Sequence, residues 1–380
     1  MAAALPGIRQ VSDLVSDWLS GWRGLARFWA GLLVLSAVIG GVLQILGPPP
    51  VQVTAKGPAG QQSPLVAHLD PNSVPHPPAA QSAAAKTTAA AKPVAPPVRP
   101  GRNMPGPIAD PDPAMLDPVA SDPKLVLPRI SIDGRPPMSA YAAGFDSSTL
   151  RPRVGVLLAG IGTTEADSMA AIKTLPGGIT LAIAPYVTDI SRLLGVARLN
   201  EHEYLLSLPM EPQGYPVNDP DDRVALMTSL APAENLARLH AILGRITGYA
   251  GVTDALGSMH GERLAALPDQ FDAVLEEVAA RGLLFVDARA GQPRLPHVWS
   301  RSADIVLDDD PLNATSLDQR LDALTHLALD KGSALAVVSA PRPVTVERLA
   351  AWANTLASKG LALAPVSALV LPPAKPERKQ

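Results

Sequence analysis

The sequence predicts an α/β domain built on a parallel sheet curled into a distorted (β/α) barrel, behind a membrane anchor and a Pro/Ala-rich tether. Three observations lead there. Apolar runs of strand length recur from residue 127 onward, with helical patterns between them. The runs are continuously apolar rather than alternating, as strands covered on both faces are. Seven or eight such units in about 240 residues suit a barrel better than a short open sheet.

From the N-terminus, residues 1–27 read as a cytoplasmic amphipathic segment, with Ile8, Val11, Leu14, Trp18 and Trp22 at helical spacing. Residues 28–46 follow without a single charge. At ~1.5 Å per residue they span roughly 28 Å, the hydrocarbon thickness of a bilayer. A cleavable signal peptide is the rival reading, but it expects a shorter apolar run and a small-residue cleavage site. Arg9, Arg23 and Arg27 precede the span and only Lys56 lies close behind it. That bias orients a single-pass signal anchor with the bulk of the chain outside the cytoplasm.

Residues 47–126 are rich in Pro and Ala and hold no aromatic residue. Such a stretch buries too little apolar surface to offset its ordering entropy, so it reads as a disordered tether. The folded domain is expected over 127–373, with a disordered tail at 374–380. Its strands are expected at 154–159, 179–184, 204–208, 251–254, 283–287, 305–307, 335–338 and 361–366. Its clearest helices are expected at 232–246, 261–281, 316–331 and 345–359. Thr163 and Thr164 before Glu165, and Thr345 two residues before Glu347, look like helix starts.

Formal net charge is -3, so no basic field points to nucleic acid. The chain has no Cys, which excludes disulfides and thiolate metal sites. Gly160-Ile161-Gly162 after an apolar run superficially suggests a dinucleotide fingerprint. Its third glycine position is Glu165, and the next strand ends without an acid for a ribose, so no nucleotide cofactor is expected.

Several loops at the strand ends carry the remaining polar residues. With Ala159-Gly160-Ile161-Gly162, they are Leu205-Leu206-Ser207-Leu208-Pro209-Met210-Glu211-Pro212, Thr253-Asp254-Ala255-Leu256-Gly257-Ser258, Asp287-Ala288-Arg289 and Ser339-Ala340-Pro341-Arg342-Pro343. With Leu127-Pro128-Arg129-Ile130-Ser131-Ile132-Asp133-Gly134-Arg135-Pro136-Pro137, this ordered set resembles the divergent polysaccharide deacetylases over about residues 127–371. The resemblance implies a deacetylase-type barrel, a carbohydrate ligand and a bacterial inner-membrane protein with its C-terminal domain in the periplasm. It also implies metal and base positions that this chain lacks: they fall on Ala159, Gly160, Ser207, Ala255 and Ala340. Ala and Gly supply no ligand atom and take no proton.

The expected function is therefore a catalytically inactive deacetylase-like protein, with no metal or other cofactor, that binds glycan or an envelope partner through the old cleft. Glu211, Asp254, Ser258, Asp287 and Arg289 are the candidate substrate-binding residues. Tyr215 and Trp299 are possible stacking platforms for sugar rings. Two alternatives stay open. An active deacetylase would need a rebuilt metal site, for which Asp254, His260 and Asp287 are the available donors. A structural scaffold would need only the anchor and the tether. Asp308-Asp309-Asp310 reads as a solvated turn, and oligomeric state is not legible.

Overall fold

The computed structural model describes Trp29 and residues 105–119, 122–187 and 190–373. The anchor at 28–46, the segment before it, the tether up to 104 and the tail at 374–380 lie outside these residues, Trp29 apart. Among the described residues no helix is long and apolar enough to cross a membrane.

Regular structure begins inside the stretch expected as tether. Asp112 caps a 3-10 turn at Pro113–Met115, and β1 (Leu116–Val119) pairs antiparallel with β2 (Asp122–Pro128). Met115 and Leu127 are 1% and 3% exposed, so this hairpin carries its own apolar anchors. Proline density hid them, because anchors this sparse make no periodic pattern. A short helix α1 (Pro137–Ala140) follows.

The sheet then forms from β3 (Arg153–Ile161), β4 (Thr180–Ile183), β5 (Tyr204–Ser207), β6 (Gly251–Thr253), β7 (Leu284–Asp287), β8 (Ser300–Ser302), β9 (Ile305–Val306), β10 (Ser333–Val338) and β11 (Ala362–Leu363). The order is β8-β7-β6-β5-β4-β3-β10-β9, every pairing is parallel, and β11 lies beside the start of β3. The end strands β8 and β9 are separated in sequence by Ala303 and Asp304 alone. Ala303 N donates to Asp287 O on β7 at 2.8 Å, and Asp304 N donates to Leu335 O on β10 at 2.8 Å. Two consecutive residues thus bond to opposite ends of the sheet, which has to curl round to bring those ends together.

Helices α2 (Glu165–Thr174), α3 (Ser191–Leu199), α4 (Pro232–Leu243), α5 (Glu262–Ala265), α6 (Pro268–Ala280), α7 (Ala314–Lys331) and α8 (Pro343–Thr355) connect the strands. Alternation along the strands divides the core. Val156, Leu158, Leu206, Val252 and Phe285 pack with helix residues such as Ile172, Leu239 and Leu349. Leu157, Ala182, Leu205, Val286 and Val337 fill the inside of the curl with Tyr141, Val366 and Leu369.

Three differences from the sequence expectation have local causes. The helix expected over 261–281 breaks at Leu267, whose φ of -106° and ψ of 94° are non-helical. Pro268 disfavours the helical conformation in the residue before it and opens α6 at its first position. Strand β8 reads Ser-Arg-Ser and carries no apolar signal, and Gly195 interrupts the pattern of α3.

Candidate functional site

The strands of such a sheet present their C-terminal ends to one rim, and the candidate residues sit in the loops there. Gly160 takes φ +74° at the irregular C-terminal end of β3. A Cβ on it would stand 3.0 Å from Ser339 O, so this glycine permits close approach to the β10 loop rather than to a phosphate.

Ser207 closes β5 and is 1% exposed. By alternation it shares the inner face with Leu205, and its Oγ has no hydrogen-bond partner. Ala159 and Ala255 belong to the same inner layer, fully buried. At the positions where the resemblance expects acids and imidazoles, the inner rim is therefore small and neutral.

Glu211 is 2% exposed and fully engaged. Its Oε2 accepts from Thr228 N at 2.7 Å and Thr228 Oγ1 at 2.6 Å, and its Oε1 faces Arg263 Nη1 at 2.9 Å. Its backbone carbonyl accepts from Arg263 N and Leu264 N at the start of α5. The residue clamps the β5 loop to the β6 loop.

Asp254 and Asp287 are brought together, but on the other side of the sheet. They follow the parity of Val252 and Phe285, so their side chains turn toward the helices and away from the curl. Both carboxylates are fully buried. Asp287 accepts from Arg289 Nε at 2.9 Å and Nη2 at 2.7 Å. Asp254 Oδ1 accepts from Ala288 N at 2.6 Å, while Oδ2 has no hydrogen-bond partner and lies 3.5 Å from Arg289 Nε. The guanidinium stacks 5.4 Å over the Phe271 ring on α6. Burial, and after it the charge of Asp287, holds the Asp254 carboxyl well above the ordinary carboxylate range.

Ser258 is exposed on the turn between Leu256 and Met259. His260 is mostly buried, with Nδ1 3.8 Å from Glu262 and Nε2 without a partner; burial lowers its pKa. Asp308 departs from the expected solvated turn: it is buried, accepting from Ser339 N at 2.8 Å and from Arg342 Nη1 at 2.9 Å. Tyr215 is on the rim, donating to Asp222 at 2.9 Å. Trp299 precedes β8 and so lies at the opposite end of the sheet, in a groove of about 330 Å³ with Ile130, Met138, Leu283 and His297.

These donors do not fit a catalytic metal. Among the described residues no group of three or more His, Asp or Glu is arranged to hold one. Glu211 and Asp287 have both oxygens occupied, and the loose atoms Asp254 Oδ2 and His260 Nε2 lack a third free ligand beside them. Sequence reasoning named Asp287 and Arg289 as ligand contacts, and they bond to each other instead. It missed Thr228, Arg263 and Phe271, which come from distant segments, and it missed which side of the sheet each acid faces.

Fold and rim together define an α/β domain whose candidate site stands at the C-terminal ends of a curled parallel sheet. Residues 156–370 match the divergent polysaccharide deacetylase family, and the chain belongs to it. A similar solved structure is that of an uncharacterized protein from Agrobacterium tumefaciens C58. It is 30% identical with a TM-score of 0.58, covering 64% of this chain and 99% of that one. No curated protein matches the sequence.

Proposed function

We propose that this protein is a membrane-anchored, periplasm-facing member of its family that binds acetylated glycan without metal-dependent hydrolysis. One observation carries the reading. The carboxylates of Glu211, Asp287 and Asp308 at the rim are bonded into the fold, and Ala159, Gly160, Ser207, Ala255 and Ala340 stand where the resemblance places the family's metal ligands and base. A water molecule there has no group to lower its pKa or take its proton. The exposed Ser258 hydroxyl is left to contact sugar hydroxyls, with Glu211, Asp254, Asp287 and Arg289 holding the rim in shape. Tyr186, 42% exposed after β4, offers a stacking face.

Titration of the detergent-solubilised full chain with acetylated oligosaccharides is expected to give saturable binding and no acetate release, with or without Zn²⁺. Ser258→Ala should weaken binding about fivefold, the equivalent of one ~1 kcal/mol hydrogen bond. Metal-dependent acetate release would overturn the inactive reading, and failure to bind any glycan would favour a scaffold. The anchor is tested by fractionating cells that express the full chain and a version starting at residue 50. The full chain is expected in the membrane fraction, and its release in soluble form would sink this part of the proposal.

A further inference from the structure

The groove around Trp299 lies at the end of the sheet opposite the candidate site, and its walls are apolar. Ile130, Pro136, Met138, Leu283, Trp299 and Pro373 line a hollow of about 330 Å³. Ile130 is 41% exposed, and Ile132 beyond it is 93% exposed. Proline-rich segments in polyproline II dock on surfaces of this kind, an aromatic ring among aliphatic side chains, because they bring apolar rings and lose little entropy on binding. Exposed carboxylates flank the groove. Glu276 stands 3.9 Å from His297, which lines it, and Asp133 precedes Gly134, which also lines it.

The chain reaches the fold at this same end. Pro105 lines a second hollow with Gly144, Phe145 and Ala362, beside the starts of β3 and β11. Met138 lines one hollow and Gly144 the other, so the two lie within about 21 Å, the reach of that short stretch fully extended. Shortly before Pro105 the sequence reads Lys92-Pro93-Val94-Ala95-Pro96-Pro97-Val98-Arg99-Pro100, a P-x-x-P spacing between two basic residues. In polyproline II at ~3.1 Å per residue, the stretch from Pro97 to Pro105 covers roughly 25 Å, which matches that separation. We infer that residues 92–99 of the chain's own tether dock in the Trp299 groove. Pro93, Pro96 and Pro97 meet the apolar walls, and Lys92 and Arg99 complement the charges of Glu276 and Asp133. Docking shortens the tether and leaves the rim of Glu211 and Ser258 clear, since groove and rim stand at opposite ends of the sheet. The inference holds whether or not the rim binds glycan.

The test uses the full chain in detergent. A dye-labelled synthetic peptide of residues 90–101 is titrated into the native chain and into a chain carrying Pro93→Gly, Pro96→Gly and Pro97→Gly together, which vacates the groove. The vacated chain is expected to bind the peptide about tenfold more tightly than the native chain, whose own segment competes at roughly millimolar effective concentration. Adding Trp299→Ala should abolish that binding. Adding Glu276→Lys, at a side chain 64% exposed, should weaken it about threefold at low salt. If the Trp299→Ala protein does not fold, the Glu276→Lys arm decides. No binding to the vacated chain, or binding that neither substitution changes, overturns the inference. Equal binding by native and vacated chains assigns the groove to a proline-rich partner and overturns it as well. Sedimentation of both chains covers the remaining occupant: a native dimer that dissociates when the three prolines are replaced assigns the segment to the groove of a second copy, against the inference.

Discussion

Replacing Glu203 by Ala is expected to destabilise the domain by about 3–5 kcal/mol, the range for breaking a buried charged network. For a domain of this size that lowers the melting temperature by roughly 6–20 °C. Glu203 is fully buried just before β5. Its Oε1 accepts from Thr180 Oγ1 and Ser367 N, both at 2.9 Å. Its Oε2 accepts from Ala143 N at 2.9 Å and Ser367 Oγ at 2.5 Å. Thr180 Oγ1 in turn accepts from Val366 N at 2.9 Å. One carboxylate thus ties β4, β5, the segment after α1 and the C-terminal 3-10 turn across the end of the sheet opposite the candidate site. Alanine leaves four buried donors without an acceptor. Glu203→Gln keeps the volume but turns an NH₂ toward two of those donors, so it should destabilise less than alanine yet measurably. Thermal unfolding of the three proteins checks this. A drop of less than about 2 °C for Glu203→Ala would show that the network contributes little.

The second large effect is on the pH dependence of stability, through Asp254. Burial first, and the neighbouring Asp287 charge second, raise the pKa of Asp254 in the folded protein. The unfolded chain titrates near the ordinary value of ~3.9. The folded state therefore binds more protons than the unfolded state above that pH. The resulting stability is fully present below the unfolded pKa and is lost as pH rises through the folded pKa. Between the two, this group alone makes stability fall by about 1.4 kcal/mol per pH unit. Asp254→Asn carries no titrating proton and should remove that slope, leaving the variant closest to native stability in acid and relatively more stable toward neutral pH. Urea denaturation from pH 4 to 8 on both proteins measures the difference. Parallel stability curves would mean that Arg289, 3.5 Å away, keeps Asp254 ionised throughout.

How much of this was legible beforehand differs from element to element. The strands at β3, β4, β5, β6, β7 and β10 and the helices at α4, α7 and α8 announce themselves through long apolar runs and 3.6-residue spacing, because burial of whole faces leaves a periodic trace. Strand β8 left none, since Ser300-Arg301-Ser302 is polar and owes its place to pairing with β7. The β1–β2 hairpin was hidden in proline-rich sequence, where two or three apolar anchors suffice. At the rim, the sequence placed Asp287 and Arg289 two residues apart, and the structure pairs them with each other. The partners of Glu211 were not legible, because Thr228 and Arg263 approach it from elsewhere in the chain.

By itself, then, the sequence determined the α/β alternation, the family, and the absence of any side-chain ligand atom at Ala159, Gly160, Ala255 and Ala340. Each of these depends on residue identity and local order alone. Only the tertiary structure decided which way each acid faces and what it touches. A strand alternates with a period of two, but the absolute side of the sheet is set by packing against helices that the local pattern does not name. That packing turned Asp254 and Asp287 away from the cleft onto Arg289, which stacks over Phe271, and it left Ser207 Oγ without a hydrogen-bond partner on the inner wall.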